Sequence, residues 1–172
     1  MNIKESTKDV VMEMVRESFI ANSKVDRMQT ILNAKFAYVD TAYLVHHDIA
    51  HAYSGTFGDG IAETIEEYNI PIDYGNIPYA VEDYDSVEEV INKLLDLVID
   101  FQNKLNQCTK IAFDNMDLHV FEPLLKLIDK HNTIVTQVIL LQDKIKLYKD
   151  DPSFDVHVNH FWFLSDRKEA DY

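Results

Sequence analysis

The sequence predicts an all-α protein, a bundle of long helices, and three observations carry that reading. Only 4 glycines and 4 prolines occur in 172 residues, too few for a loop-rich β fold. The prolines stand at 71, 78, 123 and 152, which leaves long spans free of helix breakers. Apolar residues make up 47% of the chain, enough for one globular domain with its own core, and in the clearest segments they step by three and four.

The first helix is expected over residues 1–33. Ser6 or Thr7 is placed to cap it, with Asp9 in the first turn. Val10, Val11, Met14, Phe19, Ile20, Val25, Met28, Ile31 and Leu32 follow helical spacing, and Asn22-Ser23 is a place where it could break. Glu5, Asp9, Glu13 and Glu17 repeat every four residues as a solvated face. A second helix follows from about Phe36 to Tyr68. Gly55, Gly58 and Gly60 weaken its middle, so a kink or a close helix contact is expected there.

Residues 69–85, NIPIDYGNIPYAVEDYD, read as an ordered connection with room for a short helix, long enough to cross the bundle. Ser86 and Glu89 form a capping box for the third helix, where Val87, Ile91, Leu94, Val98, Phe101, Leu105 and Cys108 step by four and three. The fourth helix begins near Asp117, with Pro123 in an early turn. Its stripe is Leu124, Ile128, His131, Val135, Val138, Gln142 and Ile145, in which His131 reads as a hydrogen-bonded core histidine, with a metal ligand as the alternative. This divides the chain into a bundle, 1–149, and a tail, 150–172. Phe154, Val156, Val158 and the run Phe161-Trp162-Phe163-Leu164 require the tail to pack on its own bundle or on a neighbouring subunit.

Acidic residues outnumber basic ones 30 to 16, for a net charge of −14. Such a chain repels phosphate backbones and anionic membranes and attracts cations, so neither nucleic acid nor a membrane is an expected partner. No run of 18 apolar residues is present and the N-terminus, MNIKESTKDV, has no apolar core of a signal peptide. The single cysteine, Cys108, sits on an apolar stripe and fits a reducing cytoplasm. Gly-rich phosphate loops, Cys-x-x-Cys pairs and GxSxG are all missing from the sequence, which leaves nucleotide-binding, zinc-finger and hydrolase functions without support.

The chemistry concentrates in the second helix, YLVHHDIAHAYSGTFGDGIAETIEEY. Carboxylates with imidazole companions suit iron. His47–His51 and Asp59–Glu63 are i,i+4 pairs, about 6 Å apart along an α-helix. On ideal α geometry Asp48 and Asp59 lie about 20° apart in phase, with His51 and Glu63 to either side. His46 falls on the opposite face and reads as surface. The candidate metal ligands are therefore His47, Asp48, His51, Asp59 and Glu63. Asp48 and Asp59 stand about 16 Å apart along the axis, so one ion needs a second element or a second, antiparallel copy of this helix.

Asp48-x10-Asp59-x3-Glu63, ending in DGIAETI, resembles the second-helix signature of the Dps-type mini-ferritins, H-x11-H-x3-D-x10-D-x3-E. The resemblance covers residues 1 to about 148 in helix order and length. It implies a ferritin-like four-helix bundle with a long crossover between helices 2 and 3. It further implies two-fold-related di-iron sites, Fe(II) oxidation by oxygen or peroxide, and iron storage or detoxification in a homo-oligomeric shell. The pattern's two histidines fall on Leu32 and Leu44, which cannot bind metal, so His47 or His51 would have to substitute. The N-terminal arm carries only Lys4 and Lys8, offset by Glu5 and Asp9, so a DNA-binding arm is absent. The alternative expectation is a ferritin-like bundle without a working ferroxidase centre, serving as an oligomeric binding or scaffold module.

Overall fold

A computed structural model describes residues 3–165. Met1, Asn2 and the last seven residues of the expected tail lie outside them. Helix α1 is Glu5–Ala34. The second long helix is a composite: α2 (Val39–Leu44), a π-helical segment (Val45–Ala50), a second π segment (Tyr53–Asp59) and α3 (Gly60–Glu66), without a break. Helices α4 (Val87–Asp114) and α5 (Leu118–Tyr148) complete the four-helix bundle. A short α6 (Ser153–His157) and a 3-10 turn (Val158–His160) follow. No strand occurs among the described residues.

Hydrogen bonds across the bundle fix its direction. Arg16 Nε donates to the Asn76 carbonyl at 3.0 Å, Arg27 Nε to that of Glu82 at 2.9 Å, and Lys35 Nζ pairs with Asp83 at 3.1 Å. The connection 69–85 therefore runs alongside α1 from its middle to its C-terminal end, without helix of its own. Lys104 pairs with Glu17 at 2.8 Å, and Asn115 donates to Thr7 at 2.9 Å, so α4 returns antiparallel to α1. The first two helices are joined by a short turn, as are the last two, while the middle pair needs the crossover.

Local chemistry explains most of the elements and corrects three expectations. The Ser86 hydroxyl accepts from Glu89 N–H at 3.1 Å, and the Glu89 carboxylate reaches back to Asp85 N–H at 2.7 Å, closing the capping box. Ser6 and Thr7 do not cap α1. They lie in its first turn and bind the α4–α5 turn, where Asn115 donates to both hydroxyls. Asp117 does the capping instead, accepting from Lys4 N–H at 3.2 Å and from the Thr7 hydroxyl at 2.5 Å. Asn22-Ser23 does not break α1 either. Asn22 donates to the Ala50 carbonyl at 2.9 Å, satisfying a backbone acceptor where the π segment ends. In α5 the buried stripe is Val120, Leu124, Leu127, His131, Ile134, Val138, Leu141 and Ile145. Gln142 lies beside that stripe and donates to Asn92 at 2.8 Å.

The tail is helical where it packs. Phe154 and Val158 are fully buried. The Asp155 carboxylate accepts from the backbone N–H of Asp40 at 3.1 Å and of Thr41 at 2.8 Å, capping the N-terminus of α2 from 115 residues away.

Candidate metal site on the second helix

Six fully buried side chains set the winding of the second helix: Val45, Ile49, Tyr53, Phe57, Ile61 and Ile65. They are spaced by four throughout. On an ideal α-helix five steps of four drift about 200° around the axis, which would carry the stripe from core to solvent. Widening the turn with π hydrogen bonds removes that drift and keeps all six in the core. At the close of the first π segment, His51 N–H bonds to the carbonyl of His46, five residues back. Gly58 sits in the second segment against α1, where an added Cβ would meet the Phe19 ring at 3.1 Å. The expected close contact is therefore there, and the helix stays continuous through it.

The same winding carries a second stripe, offset by two residues and hence opposite the core. It reads His47, His51, Gly55, Asp59, Glu63, and all four of its side-chain-bearing members are exposed. Four of the five expected ligands thus share one outer face. Asp48 does not join them. Its Oδ2 accepts from Trp162 Nε1 at 2.6 Å and from the Ser165 hydroxyl, so the tail occupies it. The α-helical phase that aligned Asp48 with Asp59 does not hold across two π segments.

His46 is a further correction. Because His51 stacks one π turn above it, the two rings lie 4.4 Å apart at their centres, and His47 lies 5.0 Å from His46 and 5.2 Å from His51. Its Nδ1 is 2.8 Å from Asp26 Oδ1 on α1. The sequence held the signal for this: an apolar stripe of unbroken fours does not stay on one side of an ideal α-helix over five repeats.

The interior of the bundle has a different character. Tyr53 hydroxyl and His131 Nε2 are 2.9 Å apart, and His131 Nδ1 is 2.5 Å from Gln102 Oε1. Gln102 Oε1 only accepts, so Nδ1 carries the proton and Nε2 accepts from Tyr53. The Phe57 and Phe101 rings enclose this imidazole at 5.1 and 4.9 Å. Burial lowers its pKa to about 4 and pushes that of Tyr53 well above its ordinary value. Among the described residues the only buried carboxylate is Asp155, which is committed to the α2 N-terminus. A di-iron centre inside a four-helix bundle needs inward carboxylates from several helices, so these interior residues do not fit one. No group of three or more His, Cys, Asp or Glu side chains within this one chain could hold a metal ion among the described residues. His119 and Glu122 are both exposed, and Glu122 pairs with Lys126 at 3.0 Å. His157 and His160 are likewise exposed at the tail, their rings 5.5 Å apart.

Comparison with solved structures defines the fold class. M. penetrans ferritin superposes with a TM-score of 0.79 at 12% identity, covering 92% of this chain and 94% of that one. A variant of the ferritin PmFTN soaked in iron for 5 min superposes with a TM-score of 0.80 at 19% identity, covering 89% and 99%. Another, soaked for 3 h, gives 0.80 at 20% identity over 89% and 99%. No protein-family model matches the sequence, and no curated protein matches it. The chain has the ferritin-type helical bundle fold. No helix among the described residues is long and apolar enough to cross a membrane.

Proposed function

We propose that this chain is a ferritin-like iron-binding subunit of the Dps type, which holds iron on the outer face of its second helix, between two copies of itself. The observation that carries this reading is the exposed stripe of His47, His51, Asp59 and Glu63 on a ferritin-type bundle. Gly55 is the midpoint of that stripe, and the space around its Cβ position is open to 4 Å. Two such helices crossing antiparallel at Gly55 would set His47 and His51 of one chain opposite Asp59 and Glu63 of the other, as an isologous contact requires. Iron is the cargo and, where it is oxidised, the substrate. The carboxylates are its firmest ligands and the imidazoles their companions. The net charge of −14 favours cation uptake and opposes DNA binding, and the buried thiol of Cys108 fits a cytoplasmic protein.

The interior favours one competing reading, a ferritin-type bundle that assembles without ferroxidase chemistry, because Tyr53, Gln102 and His131 occupy the bundle centre. Aerobic Fe(II) titration separates the two. The proposal predicts ferric absorbance rising faster with the protein than in buffer, and falling back to the buffer rate in Asp59→Asn/Glu63→Gln. If protein, variant and buffer coincide, the ferroxidase reading fails and the scaffold reading stands.

A further inference from the structure

The tail reaches the bundle through a strained hinge. Lys149 and Asp150 both take left-handed backbone angles, with φ of 48° and 65°. They are the only consecutive non-glycine pair to do so among the described residues. That conformation is disfavoured for a residue with a Cβ, and lysine lacks the short polar side chain that eases it for aspartate. The hinge turns the chain at the end of α5 and sends residues 151–165 back across α5 and the second helix as a strap. Pro152 biases the residue before it toward extended backbone, so a relaxed hinge opens outward and does not prolong α5.

Every copy of this chain presents the same seat for the strap. Phe154 packs against the rings of Tyr38 and Tyr148, at 6.0 and 5.5 Å between centres. Asp155 accepts from the Thr41 hydroxyl at 2.7 Å, in addition to its backbone bonds to α2. Trp162 binds Asp48, and Phe163 N–H donates to Gln137 Oε1 at 2.9 Å. Gln137 Nε2 is buried there without a partner, which lowers the cost of releasing this end of the strap. Exposed aliphatic side chains adjoin the seat: Val39 beside Asp40, Leu147 beside Tyr148, and Val156 beside Asp155. Apolar groups gathered in water at one end of a bundle mark a surface that meets another molecule.

We propose that the partner at this end is a second copy of the chain, and that the two exchange straps, residues 151–165 of each lying in the seat of the other. An exchanged strap makes the contacts that it makes at home, because the seat is identical. The pair gains the relaxation of both hinges and covers Val39, Leu147 and Val156. Three extended residues, 149–151, reach about 10 Å, which confines the meeting of the copies to this end. The exchange uses neither iron nor the outer stripe of the second helix, so it does not rest on the function proposed above.

A Thr41→Cys/Asp155→Cys variant tests it, because those two side chains meet at their tips and the native Cys108 is buried. Refolded and then oxidised, it should give disulfide-linked dimers on a non-reducing gel, in a proportion that rises with the protein concentration during refolding. Adding Lys149→Gly, which suits the left-handed hinge, should lower the dimer-to-monomer ratio by about tenfold or more. Fully oxidised protein that runs as monomer at every concentration would overturn the proposal, as would a ratio indifferent to Lys149→Gly. Should the double-cysteine variant not fold, sedimentation velocity on Lys149→Gly alone decides the point: fewer dimers than wild type support the exchange, and an unchanged distribution overturns it. Loss of iron oxidation with strap exchange intact would count against the function proposed above and not against the exchange.

Discussion

Trp162 donates its indole N–H to Asp48 at 2.6 Å, closing a contact between residues 114 positions apart. That bond ties the tail to the second helix and engages Asp48, one of the three acids that match the sequence pattern, away from the outer stripe. A hydrogen bond to a charged acceptor contributes about 1.5–3 kcal/mol. Trp162→Phe should therefore lower Tm by about 3–12 °C, at 2–4 °C per kcal/mol for a chain of this size. Metal affinity on the outer stripe should stay within twofold. A large change in affinity would return Asp48 to the ligand set.

Gly55 offers a probe of the proposed two-fold contact, because a Cβ added there has nothing of its own chain within 4 Å. Gly55→Leu should leave the melting temperature of an isolated subunit unchanged or slightly raised, since glycine inside a helix is unfavourable by about 0.5–1 kcal/mol. Sedimentation velocity should show the variant shifted toward smaller species if the helices cross there. An unchanged distribution places the contact between copies elsewhere.

Gly58 should behave in the opposite way. Its missing Cβ is filled by the Phe19 ring at 3.1 Å and by the Tyr53 carbonyl at 3.1 Å. Gly58→Val should overpack the α1 interface and cost about 1–3 kcal/mol in urea denaturation, with little effect on oligomeric state.

The buried imidazole makes stability depend on acid. His131 has a folded pKa of about 4, against about 6.5 unfolded, so the unfolded chain binds the proton more readily. The neutral ring's full contribution is present above about pH 6.5 and declines as pH falls toward 4, by roughly 3 kcal/mol in all. The groups facing it, Tyr53 and Gln102, carry no charge to offset a proton. His131→Gln should flatten the stability profile between pH 6.5 and 4 relative to wild type. Parallel profiles would mean that the ring is solvated before the chain unfolds.

The helices with mixed steps of three and four were legible in the sequence. Val87 to Cys108 and the Ser86–Glu89 box needed only local rules, and both stand in the structure. His131 as a bonded core histidine was legible for a similar reason, since one polar residue on an apolar stripe must find partners. The second helix was misread because 3.6-residue arithmetic was applied to a stripe of fours. On that arithmetic Asp48 falls in phase with Asp59 and His46 falls away from His51, whereas in the structure Asp48 meets Trp162 and the His46 and His51 rings lie together. The hold of Trp162 on Asp48, and of Asp155 on the α2 N-terminus, joins residues more than 110 positions apart, and no periodicity encodes it. The partners of His131 were equally non-local: Tyr53 and Gln102 come from two other helices.

The proposed iron site lies on the outside of this bundle and not at its centre. Crystals soaked in Fe(II) and measured on both sides of the iron absorption edge test it most directly. Anomalous density is expected beside Asp59 and Glu63, shared with a two-fold-related copy, and none among Tyr53, Gln102 and His131. An iron peak in that interior cluster, with none on the outer stripe, would contradict it.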